Sequence, residues 1–293
     1  MSIASDTVIS VEVFRLRVPL MRPYKLSFGP VTAFDTLVVR MQDRAGRFGA
    51  GEATLLTGYT DETIDGAWRA ARVLADAATG DSPAGIARSV MPSAPSEPFL
   101  ATAFMTALDA LRAHPLLRID RPTRVPILGI LNETEAVAID EEIERLLTAG
   151  YRTLKVKVGF EVESDLARVA RIQARVAGRA RLRLDANQGY SADQARYFAG
   201  ALDPTDIELF EQPCAAGDWD AHMEVVPHST VPLMLDESIY GLDDIERAAA
   251  LGAARYVKVK LMKLVSLDAL VAAIERIRAL GMIPVLGNGV ACD

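Results

Sequence analysis

The chain has 293 residues, of which half are apolar, 24% are charged and 6% are aromatic. This composition excludes a disordered tail and a small disulfide-stapled scaffold, and the length suits one large domain or two unequal ones. The net charge of −7 offers no attraction to phosphate backbones, so we expect no nucleic-acid partner. Cys214 and Cys292 have no second Cys or His at zinc spacing, and they indicate neither a disulfide framework nor a structural zinc site.

The first twenty residues alternate apolar with polar side chains and lack a basic segment followed by an apolar block. No apolar run approaches the length of a membrane span. We therefore expect a cytoplasmic protein with no targeting segment and no membrane partner.

The N-terminal part, residues 1–124, reads as a small α+β domain. Three strands are predicted, at Val8 to Val18, at Phe34 to Met41 and from Phe48, with the turn Asp43 to Gly46 joining the last two as a hairpin. Two helices are predicted to follow, at 62–78 and 97–112, with chain breaks between them at Gly80, Pro83, Pro92 and Pro95. The prediction is a three-stranded meander with helices packed on it.

Short apolar runs alternate with amphipathic helices from Val125 onward, which is typical of βα units around a parallel sheet. Seven strands are predicted, beginning at Val125, Thr153, Arg181, Asp206, Val231, Arg255 and Met282. The fold class is therefore α/β, with a (β/α)8-type TIM barrel over residues 125–293 that reaches only its seventh strand. Because two edge strands would stay unpaired, we expect the natural polypeptide to continue beyond Asp293.

Charged residues stand at the carboxyl ends of five successive predicted strands, the end at which such barrels carry their active sites. They are Lys155 and Lys157, Asp185, Glu211, Asp236 with Glu237, and Lys258 with Lys260. One charge at a strand end is usually a solvated terminus or a helix cap. The agreement across five strands instead predicts a cluster in which three acids converge and lysines flank them.

Three clustered carboxylates repel one another unless a cation compensates, and an all-oxygen set suits Mg²⁺ better than zinc. A flanking lysine can act as acid or base only if its pKa is lowered, and a second ammonium group together with a divalent ion has that effect. Lys155 stands two residues from Lys157 and supplies such a neighbour. The cluster is thus suited to removing an α-proton from a carboxylate substrate and stabilising the resulting enediolate.

The segments TLKVKVG, LRLDANQGYS, IELFEQP, PLMLDES and YVKVKLMK, in this order and at these intervals, resemble the enolase superfamily and specifically its muconate-lactonizing-enzyme subgroup. The segments GRFGAGEA and GYTDET resemble that family's capping domain. The resemblance implies that Asp185, Glu211 and Asp236 bind Mg²⁺, for which Mn²⁺ would substitute. It makes Lys157 and Lys260 the acid/base groups on opposite faces of the substrate, with Lys155 tuning Lys157. It further implies that three polar side chains orient the ligands by hydrogen bonds: Asn187, Gln212 and Glu237.

The resemblance also implies two capping loops, here Met21 to Pro30 and Leu55 to Thr60, with Tyr24, Lys25 and Tyr59 as candidates to bind the substrate. Lys258 has two interpretations, because the family often has a neutral residue there: it either perturbs Lys260 or merely occupies the strand end. Members of the family usually form homo-oligomers, which we therefore expect here.

A lysine on each face permits removal of a proton from one side and its return from the other. This favours a racemase or epimerase, and the motifs look most like those of dipeptide epimerases and N-acylamino-acid racemases. A cycloisomerase or an acid dehydratase on the same scaffold stays open, as does a non-catalytic binding protein.

A Ser-His-Asp hydrolase has little support, since no GxSxG segment is present and the three histidines fall away from the strand ends. We expect His114, His222 and His228 at the surface. Cys214 follows the EQP segment and is expected to be a small packing residue.

Overall fold

The computed structural model describes residues 6–26, 29–55 and 61–289, and within 22–30 it describes the backbone of the strands alone. The chain divides into two compact units. The N-terminal unit holds the described residues of 1–122 together with 260–272 and 287–289, and the parallel-sheet unit holds 123–259 and 273–286. Among the described residues, no helix combines the length and the apolar character needed to cross a membrane.

An antiparallel sheet with the strand order β1-β2-β3 forms one layer of the N-terminal unit. Its strands are β1 (Val8–Leu26), β2 (Gly29–Asp43) and β3 (Phe48–Leu55), which confirms the predicted meander. The first two strands extend further than predicted, because the hairpin continues with Tyr24 opposite Val31. The segment interpreted as a capping loop from Met21 is therefore strand as far as Leu26.

Three helices accompany this sheet: α1 (Ile64–Ala78), α2 (Pro83–Val90) and α3 (Pro98–Leu111). The helices α1 and α3 pack on the sheet, and α2 packs against both of them. The chain breaks after α1 as predicted, but an additional helix begins at Pro83, because a proline fits the first turn of a helix and Ser82 Oγ accepts a hydrogen bond from Gly85 N at 3.1 Å. Gly49 and Gly51 of the GRFGAGE segment have a packing reason. A Cβ atom on Gly51 would lie 2.1 Å from Ala103 O of α3, so only glycine lets β3 and α3 approach so closely.

The second unit is built on a parallel sheet with the strand order β10-β9-β8-β7-β6-β5-β4. The strands are β4 (Gly129–Leu131), β5 (Thr153–Lys157), β6 (Arg181–Asp185), β7 (Ile207–Glu211), β8 (Leu233–Leu235), β9 (Tyr256–Lys260) and β10 (Ile283–Gly287). Its helices are α4 (Ala136–Thr148), α5 (Val162–Val176), α6 (Ala192–Ala201), α7 (Trp219–Val225) and α8 (Leu242–Leu251). Two further helices follow β9, α9 (Leu261–Leu264) and α10 (Leu267–Ala279), of which α9 and the first part of α10 group with the N-terminal unit. The seven predicted strands are all present, although β4 begins at Gly129 rather than Val125.

Alternate apolar residues of the strands pack with apolar residues of the helices to form the core of this unit. Val156 and Leu184 are fully buried. The strands pair in a register that puts Lys157 opposite Asp185 and Asp185 opposite Glu211. The charged residues therefore end neighbouring strands at one edge of the sheet. The predicted fold class, a TIM-barrel type with an N-terminal α+β domain, is confirmed.

Candidate active site

Asp185 is the last residue of β6 and receives two lysines. Its Oδ2 atom lies 2.6 Å from Lys155 Nζ and 2.7 Å from Lys157 Nζ. Its Oδ1 atom accepts a hydrogen bond from Asn187 N at 3.0 Å. The side chain is fully buried, so these contacts replace water around a charge that would otherwise be costly to bury.

Glu211 is the last residue of β7 and also receives two lysines. Its Oε2 atom accepts a hydrogen bond from Lys155 Nζ at 2.9 Å, and its Oε1 atom accepts one from Lys258 Nζ at 2.7 Å. Lys258 Nζ lies 3.4 Å from Asp236 Oδ2 as well. The expected convergence of the three acids is thus seen through the lysines that bridge them: Lys155 links Asp185 to Glu211, and Lys258 links Glu211 to Asp236.

The ionisation of these groups follows from their neighbours. Burial alone would raise the pKa of Asp185, but Lys155 and Lys157 lower it to about 2. Burial alone would lower the pKa of Lys155, but the Glu211 and Asp185 carboxylates raise it well above its usual range. Lys155 is therefore a fixed positive charge in this arrangement, which suits a group that acts on Lys157 through its charge rather than by exchanging a proton.

Asn187 connects Lys157 to Glu237. The Lys157 ammonium donates to Asn187 Oδ1, and Asn187 Nδ2 donates to Glu237 Oε1 at 2.8 Å. Asn187 has a φ of 43°, a left-handed backbone conformation that an asparagine tolerates better than most residues. Burial, Asp236 and Asp185 raise the pKa of Glu237, and its buried Oε2 atom has no hydrogen-bond partner among the described residues.

Gln212 ties the Asp236 segment to the end of β7. Its Oε1 atom accepts hydrogen bonds from Asp236 N at 2.9 Å and Ser238 N at 3.2 Å. Its Nε2 atom donates to Ser238 Oγ at 2.7 Å and lies 3.1 Å from His222 Nε2. The amide therefore fixes the backbone that carries Asp236, which is the kind of role that the sequence predicts for Gln212.

His222 corrects a prediction. It is fully buried in α7 rather than exposed, whereas His228 is exposed as expected and His114 is partly buried. Burial lowers the pKa of His222, and a neutral ring leaves Nε2 free to accept from Gln212. Cys214 is also buried, and burial raises the pKa of its thiol to about 12, so a packing role fits it better than a nucleophilic one.

Asp165 is a residue that the sequence reasoning missed. Its Oδ2 atom accepts hydrogen bonds from Gly159 N at 3.1 Å, Phe160 N at 2.9 Å and Tyr190 Oη at 2.7 Å. Its Oδ1 atom lies 2.5 Å from an Arg168 nitrogen. The same Arg168 atom donates to the backbone oxygen of Lys157 at 2.6 Å.

This network holds the loop after Lys157 against the loop that carries Asn187. A Cβ atom on Gly159 would lie 2.4 Å from Ala186 O, so the two loops touch through glycine. An available signal was the Asp165–Arg168 pair, three residues apart on the helix directly after the lysine strand.

The remaining predicted residues are placed as follows. Lys260 is the last residue of β9 and is buried; it groups with the N-terminal unit. Tyr24 and Lys25 lie in β1, opposite Val31 and Pro30, with side chains outside the described part of the chain. Tyr59 lies outside the described residues altogether. Substrate binding by these three aromatic and basic residues stays a prediction.

The chemical type of these side chains, oxygen donors that carry negative charge, suits a hard divalent cation. Asp185, Glu211 and Asp236 are buried carboxylates, and Glu237 Oε2 is a buried acceptor with no partner among the described residues. In the structure, however, lysines hold the oxygens of the first three. Over residues 6–26, 29–55 and 61–289, no three His, Cys, Asp or Glu side chains are arranged to hold a metal ion.

Two curated relatives match most of the chain. An N-succinyl-L-Arg/Lys racemase from Bacillus cereus is 24% identical over 268 residues, covering 87% of this chain and 73% of the relative. An L-Ala-D/L-Glu epimerase from Bacillus subtilis is 29% identical over 280 residues, covering 87% of this chain and 74% of the relative. Both are named as isomerases that act at an amino-acid stereocentre.

A solved structure shares the fold. The dipeptide epimerase from Cytophaga hutchinsonii, in complex with Mg and the dipeptide D-Ala-L-Val, superposes with a TM-score of 0.88 at 24% identity, covering 97% of this chain and 80% of that one. The family model described as Enolase C-terminal domain-like matches residues 138–291, which is more than half of the chain. The chain therefore belongs to the enolase C-terminal domain-like family, as its strand-end motifs predict.

Proposed function

We propose that this protein is a Mg²⁺-dependent isomerase that removes and returns the α-proton of a carboxylate substrate. The observation that carries the proposal is the environment of Lys157. Its side chain is 30% exposed, against 10% for Lys155 and 12% for Lys258, and it sits on a fully buried Asp185. Among the three lysines of the cluster, Lys157 is the one that a substrate can best reach.

The roles within the cluster follow from its contacts. Asp185 and Asn187 hold the Lys157 ammonium in place, and Lys155 Nζ contacts the same Asp185 oxygen at 2.6 Å. The carboxylates of Asp185, Glu211 and Asp236 would hold the metal. When bound, Mg²⁺ would supply electrostatic stabilisation for the negative charge that develops on the substrate carboxylate as its α-proton leaves.

Lys260 is proposed as the second acid/base group. It ends β9, and Lys157 ends β5, with three strands between them in the same sheet. A proton taken by one lysine and a proton delivered by the other on the opposite face would invert the stereocentre, which is the requirement of a racemase or epimerase.

The proposed substrates are dipeptides or N-acylamino acids. The named relatives support this class, since one acts on N-succinylated Arg and Lys and the other on an Ala-Glu dipeptide. A dipeptide and an N-acylamino acid each have an α-carbon that carries a carboxylate, on which further negative charge would develop as the α-proton leaves. We further propose that Mn²⁺ substitutes for Mg²⁺, because both are hard ions that accept oxygen ligands.

The proposal is tested by following α-proton exchange in D₂O by NMR, with pools of dipeptides, N-acylamino acids and hydroxy acids. We expect exchange in Mg²⁺, none in EDTA, and none in the double variant Lys157→Ala, Lys260→Ala. Arg183→Ala is the matched control, because it removes a cation of the same sheet whose ion pair is with Glu208 on the neighbouring strand.

Exchange that survives EDTA or the double variant would contradict the proposed chemistry. Mg²⁺ binding without exchange from any pool would point to a cycloisomerase or a dehydratase. No binding of Mg²⁺ at all would point to a non-catalytic protein on this scaffold.

A further inference from the structure

Lys258 has a place in the cluster that neither sequence interpretation anticipated. Its ammonium lies 2.7 Å from Glu211 Oε1 and 3.4 Å from Asp236 Oδ2. The side chain is 12% exposed, so the two ion pairs are largely shielded from water. Lys258 thus bridges two of the three carboxylates through which a metal ion would be held.

The three carboxylates already have cationic partners. Asp185, Glu211 and Asp236 each lie within 3.4 Å of at least one ammonium group of Lys155, Lys157 or Lys258. A divalent cation would therefore meet carboxylate oxygens that lysines already contact. Because unlike and like charges interact strongly at buried sites, an ammonium group that stays in place would repel the ion.

Lys258 holds its carboxylates more loosely than Lys155 does. Both contacts of Lys155 are shorter than 3 Å, whereas the second contact of Lys258 is 3.4 Å. Lys157 has a separate anchor in Asn187. Of the three, Lys258 can therefore leave its position with the smallest loss of contacts.

We propose that Lys258 is an internal counter-ion that closes the Glu211–Asp236 pair when no metal is present and competes with a divalent cation for the same oxygens. The inference rests on the divalent-ion site of the proposed function. Its consequence is a lower metal affinity than the three carboxylates would have alone, and a protein that keeps its fold when the metal is removed.

The test is calorimetric titration of the protein with MgCl₂ for the wild type, Lys258→Met and Lys258→Arg. Methionine has a similar length and no charge, and we expect it to bind Mg²⁺ at least about tenfold more tightly. Arginine keeps the charge and should stay within about threefold of the wild type. Arg183→Met is the matched control, because it removes a cation paired with Glu208 on the same sheet and should leave the affinity unchanged.

A second readout separates competition from a merely structural role. In EDTA, Lys258→Met should have a lower melting temperature than the wild type, because Glu211 and Asp236 then repel each other. Saturating Mg²⁺ should raise its melting temperature by more than it raises that of the wild type.

Equal or weaker Mg²⁺ binding by Lys258→Met would overturn the inference and leave the proposed function intact. Absence of Mg²⁺ binding from both the wild type and Lys258→Met would contradict the proposed function itself, and the inference with it.

Discussion

Two buried carboxylates, one in each unit, are stabilised in opposite ways. Glu62 is 5% exposed and accepts hydrogen bonds from Phe99 N at 2.8 Å and Leu100 N at 3.1 Å, in the first turn of α3. Asp185 is fully buried and contacts two ammonium groups. Burial raises the pKa of Glu62 to about 7 in spite of its two backbone donors, whereas Lys155 and Lys157 lower that of Asp185 to about 2.

The difference shows that counter-charge rather than burial decides whether an acid stays ionised. Glu62 serves the structure, because it satisfies N–H groups of α3 that the N-cap residue Glu97 does not. Asp185 keeps its charge where the proposed chemistry needs it. The N-terminal unit can tolerate protonation of its buried acid, and the strand-end cluster cannot.

Asp185→Asn should have the largest effect. The neutral amide removes the charge that holds Lys155 and Lys157, so α-proton exchange should fall at least about a thousandfold and the rise in melting temperature with Mg²⁺ should disappear. Glu208→Gln is the control, because Glu208 pairs with Arg183 on the same pair of strands outside the cluster. A variant of Asp185 that keeps a tenth of the activity would contradict the account.

Asp165→Asn should have the next largest effect. Loss of the negative charge weakens the bonds to Gly159, Phe160 and Arg168, and the loop after Lys157 loses its anchor. We expect kcat to fall about 10- to 100-fold while the Mg²⁺ affinity stays within about threefold.

The control for that experiment is Asp193→Asn, which removes an exposed ion pair with Arg196 at the same helical spacing. A parallel fall in Mg²⁺ affinity would show that Asp165 supports the whole strand end rather than the Lys157 loop.

Glu62→Gln tests the buried carboxylate of the N-terminal unit. A folded-state pKa of about 7, above the ordinary 4.5, means that the folded protein binds the proton more tightly, so stability falls as the pH rises between these values. The fall amounts to about 2 kcal/mol once solvent screening is allowed for. Glutamine cannot ionise and should flatten this part of the unfolding free-energy curve, measured by urea denaturation from pH 4.5 to 7.5.

Glu97→Gln, at the N-cap of the same helix, is the control and should keep most of the slope, because Glu97 is the smallest contributor to the raised pKa of Glu62. If the dependence of stability on pH were also unchanged in Glu62→Gln, a group other than Glu62 would be its source.

His222 should give a smaller effect of opposite sign in the parallel-sheet unit. Its lowered pKa means that the folded protein resists protonation of the ring, so stability falls as the pH drops below about 6.5. His222→Gln keeps an acceptor for Gln212 and should lose that fall. His228→Gln changes an exposed ring and should retain it. If the stability of His222→Gln still falls as the pH drops, another group is the source of that fall.

Much of the fold could be predicted because its signals are local or periodic. The seven parallel strands follow from alternating apolar runs and amphipathic helices, and the strand-end charges follow from their register. The helix at Pro83 was missed, because proline and a nearby glycine resemble a break until Ser82 is recognised as an N-cap. The extension of β1 to Leu26 was missed because it depends on pairing with β2 rather than on its own pattern.

The cluster was predictable in membership and not in its contacts. Lys155, Asp185 and Glu211 could be expected to converge, since parallel strands end at one edge. The partners of Lys258 depend on side-chain geometry across β7, β8 and β9. The spacing of residues along the sequence does not reveal that geometry. His222 and Asp165 lie on helices, where polar residues usually face water, and only tertiary packing turns them inward.

The central claim is that the lysine–carboxylate centre transfers a proton between two faces of one carbon. Its most direct test measures α-proton exchange separately for each stereoisomer of the substrate. The wild type should exchange the α-proton of both stereoisomers in D₂O with Mg²⁺ and interconvert them. Lys157→Ala should exchange one isomer alone, Lys260→Ala the other alone, and neither variant should interconvert them. Exchange of both isomers by either variant would contradict the account.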